Sequence, residues 1–204
     1  EVSFPRLDET MPELGRSNLL ASWNHEVIPR VVKTHKEYLP LFRGCRAILL
    51  IRDPRDVMTS FIFYERGKAG SQVNYTFSEF IRNKDTGIRA WACHFKSWKP
   101  NANIIVKFED LKEDDVGVFQ ELLSGINVDV NSETIKEAAR RSRFEKMKRA
   151  EEKYGIRSNK RHFQDGSKFM RKGDTGTWED LFSKQDLTYT REVLKEECIE
   201  AYDV

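Results

Sequence analysis

The sequence predicts one α/β domain in which helices cover both faces of a central parallel sheet. Strand-like and helix-like segments alternate along the 204 residues, which is the pattern of such a fold. The apolar run at residues 46–51 has the composition of a strand buried on both faces. With 39% hydrophobic residues the chain can bury one core, and ligands of such sheets bind at the carboxyl ends of the strands.

A strand, a tight turn and a helix follow one another from residue 46. Asp53 is suited to cap a helix, and Pro54 fits the first helical position, where no amide hydrogen is needed. Apolar residues then recur at helical spacing, at Val57 and Phe61. The helix is therefore predicted to start directly at the carboxyl end of the strand.

Weaker patterns predict the remaining elements. Residues 27–33 and 103–108 are predicted strands, and residues 1–25 are predicted to be loop with one turn of helix. The basic residues 155–176 are predicted to form an ordered loop that closes on a ligand. Further helices are predicted at residues 76–83, 88–99, 116–123, 132–140 and 184–202.

The distribution of charge indicates an anionic ligand, although the total charge does not indicate a nucleic acid. Lys and Arg total 35 and Asp and Glu total 33, which leaves a net charge of only +2. Residues 140–172 contain thirteen Lys or Arg but four Asp or Glu, an excess of nine positive charges. A polyanion is therefore expected to bind there.

The cysteines and the apolar runs bear on the cellular location. Cys45, Cys93 and Cys198 lie far apart and have neither metal-site spacing nor a disulfide framework, so they are expected to be reduced in the cytoplasm. The apolar run that ends at Ile51 is far shorter than the about 20 residues of a spanning helix. No membrane span and no metal site are predicted.

The first motif that could carry chemistry is the junction between the strand and the helix. Arg52 leaves the strand there, and Ser60 follows inside the helix. Helix amides and the positive end of the helix dipole attract anions, and Arg52 and Ser60 could both reach one phosphate. The alternative interpretation is that Arg52 only forms a salt bridge with Asp56.

The second motif is Lys33-Thr34-His35, at the end of the predicted strand at residues 27–33. In an extended chain, residues two apart share a face, so Lys33 and His35 could act on one reacting centre. His35 would be the general base and Lys33 the electrophile. The alternative is that His35 is structural or merely exposed.

The third motif is Arg171-Lys172-Gly173, with Gly176 three residues later. Glycines permit close approach of the backbone to a ligand, and adjacent cations with flexible amides can hold a phosphate. The alternative is an exposed basic turn, although Trp178 so close by argues against full exposure.

In this order the motifs resemble those of the sulfotransferases that use 3′-phosphoadenosine 5′-phosphosulfate (PAPS), in particular bacterial and cytosolic members. The resemblance runs from about residue 31 to residue 182 and implies a sulfotransferase fold like that of the P-loop NTPases. It implies that His35 is the catalytic base and that Lys33 lies near the sulfuryl group. It assigns Arg52 and Ser60 to the 3′-phosphate.

The same resemblance implies the remaining contacts to the co-substrate. The family's late Arg-Lys-Gly motif also binds the 3′-phosphate. A Ser-x-Phe segment lies near the adenine, where Phe144 would stack on the base, and Phe108 stands where members often have a tyrosine. The residues assigned in this way are Ser142, Phe144, Phe169, Met170, Arg171, Lys172 and Gly173.

One departure from the family leaves alternatives open. The family begins with a strand and a phosphate loop of the Pro-Lys-Ser-Gly-Thr-Thr type, and no such segment occurs here. We therefore expect residues 1–204 to be a single sulfotransferase-like domain that is incomplete at its N-terminus, or else a degenerate relative that has lost catalysis.

The expected reaction moves a sulfuryl group from PAPS to a hydroxyl or amine of a small-molecule acceptor and releases adenosine 3′,5′-bisphosphate (PAP), without a metal. Three other functions are weighed against it. A module that binds a nucleotide or polyanion without reaction is the main alternative, and a nucleotide kinase relative lacks a visible Mg-binding phosphate loop. A nucleic-acid binder is disfavoured because aromatic residues are not interleaved with the basic ones. The acceptor and the oligomeric state stay open.

Overall fold

The computed structural model divides into two compact units. It describes residues 2–20, 22–23, 29–156, 163–164 and 166–202. Unit 1 comprises Glu1–Lys36 and Asp110–Gly173, and unit 2 comprises Glu37–Glu109 and Asp174–Val204. Within the described ranges, no helix is both long and apolar enough to cross a membrane.

The described elements are two strands, nine α-helices and two short 3-10 helices at Pro40–Phe42 and Lys99–Asn101. The strands are β1 (Ile48–Ile51) and β2 (Ile104–Lys107). The α-helices are α1 (Phe4–Thr10), α2 (Pro54–Gly67), α3 (Phe77–Arg82), α4 (Ile88–Trp98), α5 (Phe108–Glu113), α6 (Asp115–Gly125), α7 (Ser132–Ser142), α8 (Phe144–Tyr154) and α9 (Lys184–Glu196).

Unit 2 contains the sheet. β1 and β2 pair in parallel, with Ile48 beside Ile104 and Ile51 beside Lys107. Parallel neighbours need a crossover between them, and α2, α3 and α4 lie in the chain between β1 and β2. The α/β fold with a parallel sheet flanked by helices is therefore confirmed.

The core of unit 2 lies between this sheet and its helices. α2, α3 and α4 pack on one another, and α9 packs on α4. The side chains that are fully buried come mainly from these helices, because their apolar residues recur on one face. They include Met58, Ile62, Phe80, Ile81 and Ile88.

The predicted turn from strand to helix is confirmed. The Asp53 carboxylate accepts a hydrogen bond of 2.8 Å from the Arg55 amide, and Pro54 occupies the first position of α2. Two further helices begin with reciprocal capping boxes, since Thr76 and Glu79 cap α3, and Ser183 and Asp186 cap α9. Local sequence thus sets where these helices start.

Unit 1 is built from helices. α1 packs on α8, α6 packs on α7, and α7 packs on α8. Ile135 and Ala139 of α7 and Met147 and Ala150 of α8 are buried. α8 was not predicted, although Met147 and Ala150 have helical spacing and Gly155 ends the helix with a positive φ of 71°.

The predicted strand at residues 27–33 is wrong over its described part, residues 29–33, and residues 27 and 28 lie outside the described ranges. Only an isolated parallel bridge between Glu13 and Lys33 is present there. Val31 and Val32 are 39% and 41% exposed, so no continuous neighbouring strand covers them. A β-strand needs such a neighbour to pair its backbone, and an apolar run does not supply one.

The predicted helix at residues 184–202 is too long, because α9 ends at Glu196. Cys198 adopts a left-handed conformation with a φ of 54°, and the Ile199 amide donates to the Leu194 carbonyl over 2.9 Å. This bond closes the helix in the manner of a Schellman motif and turns the chain away.

The burial of individual core residues predicts how much their truncation lowers the free energy of unfolding. Ile81→Ala should lower the free energy of unfolding by about 2–5 kcal/mol, because Ile81 is 0% exposed and the change leaves a cavity. The same change at Ile105, which is 42% exposed, should lower it by about 1 kcal/mol or less. Urea unfolding of both variants measures the difference, and equal losses would contradict the assignment of the core.

Candidate functional site

Arg52 lies between the carboxyl end of β1 and the first turn of α2. Its Nη2 donates a hydrogen bond of 2.6 Å to the Asp174 carbonyl and lies 3.5 Å from Asp56 Oδ2. The guanidinium lies 4.5 Å from the centre of the Phe108 ring, within the range of a cation–π contact. The ion pair with Asp56 is therefore present. It does not exclude the predicted anion site, because the contacts of Arg52 with Asp56 and Asp174 both use Nη2 and neither uses Nη1.

Asp56 is the most deeply buried charged group of this turn, with 1% of its surface exposed. Its Oδ2 accepts a hydrogen bond of 2.8 Å from the Gly176 amide, and its Oδ1 accepts one of 2.9 Å from the Thr177 hydroxyl. Asp56 therefore joins the start of α2 to the segment that follows residue 173.

Asp53 and Arg55 make a second set of contacts at the same turn. Arg55 Nη2 lies 2.5 Å from Asp53 Oδ2, and the guanidinium packs 4.2 Å from the Trp178 ring. The Asp53 amide donates to Glu109 Oε1 over 3.0 Å, and Glu109 Oε2 accepts from the Tyr202 hydroxyl over 3.1 Å. These contacts fix the backbone from which Arg52 projects.

Two buried polar atoms near this turn have no hydrogen-bond partner among the described residues. They are Arg52 Nε and the Thr59 hydroxyl. Ser60, one turn beyond Asp56 on α2, is exposed. Because residues four apart share a helix face, Asp56 and Ser60 lie on one side of α2, and the 14-residue helix directs its positive end toward Arg52. This geometry suits a phosphate group.

Lys33 and His35 lie in unit 1 in a cluster of charges. Lys33 Nζ is 3.4 Å from Glu13 Oε2, and Arg16 Nε is 3.2 Å from Glu13 Oε1. His35 is exposed as a residue, although neighbouring atoms remove part of the water around its ring. This partial desolvation is the main cause that lowers the pKa of His35 from 6.5. The charges of Lys33 and Arg16 lower that pKa further, and Glu13 raises it. A pKa below 6.5 favours the neutral imidazole of His35 at pH 7, the form that can accept a proton.

Phe144 and Gly173, which are 29 positions apart in the sequence, meet in unit 1. A Cβ atom at residue 173 would overlap the Phe144 ring, and the φ of Gly173 is +69°. Both constraints require glycine there. The Ser142 hydroxyl donates a hydrogen bond of 2.9 Å to the Ala138 carbonyl of its own helix.

The segment before Gly173 is held by a residue that the sequence did not reveal. The Phe169 and Met170 amides each donate a hydrogen bond of 2.7 Å to the Glu151 carboxylate. The Phe169 ring packs edge-on against Phe4, with 5.6 Å between the ring centres. Glu151 therefore orders the backbone that leads into Arg171-Lys172-Gly173.

The predicted site residues fall in both units. Arg52 and Ser60 belong to unit 2. The remaining predicted residues belong to unit 1: Lys33, His35, Ser142, Phe144, Phe169, Met170, Arg171, Lys172 and Gly173. Each of these assignments stays a prediction, because no ligand contact tests it.

A surface cleft of about 360 Å³ lies elsewhere in unit 2, between α3 and α9. Arg82 and Tyr189 are among its lining residues, and the Arg82 side chain is bound to the Asp186 carboxylate. None of the predicted site residues lines this cleft. In the part of the chain that the structure describes, no group of three or more His, Cys, Asp or Glu residues is placed to hold a metal ion.

Comparisons with a family model and with curated proteins point to the same family. Residues 17–201 match the family model of the sulfotransferase domain. Sulfotransferase 1E1 of Homo sapiens is 31% identical over 168 residues, which is 76% of this chain and 57% of that protein. Sulfotransferase 1 family member D1 of Rattus norvegicus is 28% identical over 182 residues, covering 83% of this chain and 62% of that protein. The chain thus spans about three fifths of the length of these curated relatives.

Solved structures share the fold. A mouse sulfotransferase, SULT7A1, complexed with PAP, superposes with a TM-score of 0.68 at 24% identity, over 85% of this chain and 68% of that chain. Retinol dehydratase in complex with androsterone and inactive cofactor PAP gives a TM-score of 0.69 at 23% identity, over 88% of this chain and 56% of that chain.

The charges around His35 predict opposite effects for two substitutions. Lys33→Met should raise the pKa of His35, because a neighbouring positive charge is removed, and Glu13→Gln should lower it, because an attractive negative charge is removed. Histidine NMR titration measures both shifts. The chain has four histidines, so a His35→Ala variant identifies the signal. Shifts in the same direction would contradict this electrostatic arrangement.

Proposed function

This chain belongs to the sulfotransferase domain family, and from that premise we propose that it moves a sulfuryl group from PAPS to a small-molecule hydroxyl or amine. The match to the family model covers residues 17–201, which is most of the chain. Two solved structures of the same fold carry PAP, the product that this reaction would release. We further propose a cytoplasmic location, which suits the free, exposed thiols of Cys45, Cys93 and Cys198.

The observation that carries this proposal is the anion site at the start of α2. Arg52 projects where a strand ends and a 14-residue helix begins, which is where backbone amides and the helix dipole favour a phosphate. The buried Nε atom of Arg52 has no partner among the described residues, and the contacts with Asp56 and Asp174 use only Nη2, so the guanidinium retains donors that a ligand could satisfy. Arg52 and the exposed Ser60 would hold the 3′-phosphate.

The residues of unit 1 fit the rest of the co-substrate. Phe144 offers an aromatic face to an adenine, and Gly173 keeps its backbone close to that ring because it lacks a side chain. Arg171 and Lys172 would add positive charge for the 3′-phosphate. Phe169 and Met170 would line the approach to them, with their amides fixed by Glu151. Ser142 could contribute after its hydroxyl leaves the Ala138 carbonyl.

In the proposed mechanism, His35 takes the proton from the acceptor hydroxyl or amine. Bound PAPS supplies the sulfuryl group, and PAP carries away the electron pair of the broken sulfur–oxygen bond as the acceptor atom bonds to sulfur. The lowered pKa of His35 favours its neutral imidazole at pH 7, the form that a general base requires. The Lys33 ammonium would stabilise negative charge on the transferred group once it exchanges Glu13 for the ligand.

One observation favours a second candidate, a protein that binds the nucleotide without reacting it. The Lys33 ammonium, which the reaction needs, is paired with Glu13 at 3.4 Å. If that ion pair persisted with ligand bound, the chain would keep its phosphate contacts and lack the electrophile.

The first test is calorimetric titration with PAP and, as the control, adenosine 5′-monophosphate (AMP), on the longest native form of the protein. We expect PAP to bind in the micromolar range, and AMP to bind at least about tenfold more weakly because it lacks the charge-assisted bonds of the 3′-phosphate. Equal affinities, or no binding by folded protein, would overturn the proposed function.

Two substitutions should separate catalysis from binding. His35→Ala should lower the rate of PAP release from PAPS, with a panel of phenol, alcohol and amine acceptors, by about 10²–10⁴-fold and leave PAP affinity intact. Arg52→Ala should instead weaken PAP binding and leave AMP binding nearly unchanged. A wild-type protein that binds PAP but releases none from PAPS would support the second candidate. A tenfold loss of PAP affinity in His35→Ala would contradict a purely catalytic role.

A further inference from the structure

We propose that Asp56 is the positioning residue of the 3′-phosphate site and that it acts by fixing the Arg52 guanidinium and the turn at residues 174–177. This inference rests on the proposed function. It adds a role for a residue that does not itself contact the phosphate.

The first step is the burial of the Asp56 carboxylate. A carboxylate with 1% of its surface exposed is unfavourable unless donors surround it. Three groups do so: the Arg52 guanidinium as an ion pair, and the Gly176 amide and the Thr177 hydroxyl as hydrogen-bond donors. Such a group holds its partners in one arrangement, because losing any of them leaves a buried charge poorly compensated.

The second step is that these partners belong to one turn. Asp56 binds Gly176 and Thr177, and Arg52 binds the carbonyl of Asp174 over 2.6 Å. Two side chains at the start of α2, Arg52 and Asp56, therefore hold the turn at residues 174–177 in place. The Arg55 guanidinium extends this contact to the Trp178 ring, 4.2 Å away.

The third step concerns the conformation of Arg52. An arginine side chain has many rotamers, and ordering it on a ligand weakens binding. Asp56 and the Asp174 carbonyl both engage Nη2, and the Phe108 ring lies against the guanidinium plane. Arg52 is thus restrained before a phosphate arrives, while Nη1 takes no part in these contacts.

The fourth step separates positioning from simple charge. Asp56 is negative, so neutralising it should by Coulomb's law alone strengthen the binding of a phosphate. If Asp56 positions Arg52, the same change should weaken that binding. The two explanations therefore predict opposite signs for one substitution.

The experiment compares PAP and AMP affinity in Asp56→Asn by calorimetry. Asn keeps the size of the side chain but removes its charge and one acceptor oxygen. We expect PAP affinity to fall about tenfold, which is about 1.4 kcal/mol, and AMP affinity to stay within about twofold because AMP has no 3′-phosphate. PAP affinity that is unchanged or higher, or equal losses for PAP and AMP, would overturn the inference.

The matched control is Asp186→Asn. Asp186 is likewise buried, at 2% exposure, and its carboxylate likewise holds an arginine, Arg82, and a serine hydroxyl, Ser78. It lies at the start of α9, away from the predicted site residues of unit 2. This variant should lower the melting temperature and preserve the ratio of PAP to AMP affinity.

A second variant keeps the test decisive if Asp56→Asn does not fold. Thr177→Val removes one hydrogen bond to Asp56 and conserves side-chain shape, so it should reduce PAP affinity by a smaller factor in the same direction. No change in the PAP to AMP ratio would then overturn the inference. Wild-type protein that does not distinguish PAP from AMP would instead overturn the proposed function, so the two failures are distinguishable.

Discussion

Two buried carboxylates stand at the start of α2, the N-cap Asp53 and, in the first turn, Asp56, and a buried charge needs partners. Asp53 is satisfied within the turn by Arg55, whereas Asp56 must reach Gly176 and Thr177, 120 positions away or more. This requirement brings a late segment of the chain to the carboxyl end of β1. The position of Arg52, and with it the proposed phosphate site, depends on that link.

Much of the fold could be predicted because the deciding signals are local. Asp53 and Pro54 mark the start of α2 within two residues, and the apolar residues 48–51 form β1 as expected. The strand predicted at residues 27–33 is not found in its described part. A strand needs a second strand to pair with, and its own sequence does not specify that partner. The predicted end of α9 is wrong for another reason. Cys198 adopts the left-handed conformation that ends the helix, and this position is usually recognised in a sequence by a glycine.

The candidate site was predictable to the extent that its residues stand in short motifs. Arg52 and Gly173 are predicted in this way, and their roles stay predictions; the structure adds that Gly173 contacts Phe144, another predicted site residue. Asp56 was visible only as an ion-pair partner four residues from Arg52. Its bonds to the turn at residues 174–177, like those of Glu151 to the segment before Gly173, join residues far apart in sequence. No local pattern encodes such contacts.

The two cations proposed to act on the co-substrate, Arg52 of unit 2 and Lys33 of unit 1, share one feature. Arg52 is held by Asp56, and Lys33 is held by Glu13, so each cation that would meet the co-substrate is already paired with a carboxylate. The pairs differ in burial, because Lys33 is 39% exposed and Arg52 is 19% exposed. Water screens the first pair more strongly than the second, so Lys33 can exchange its partner for a ligand while Arg52 keeps its own. The role proposed for Arg52, holding a phosphate, and the role proposed for Lys33, meeting charge that develops during transfer, thus place different demands on their partner carboxylates.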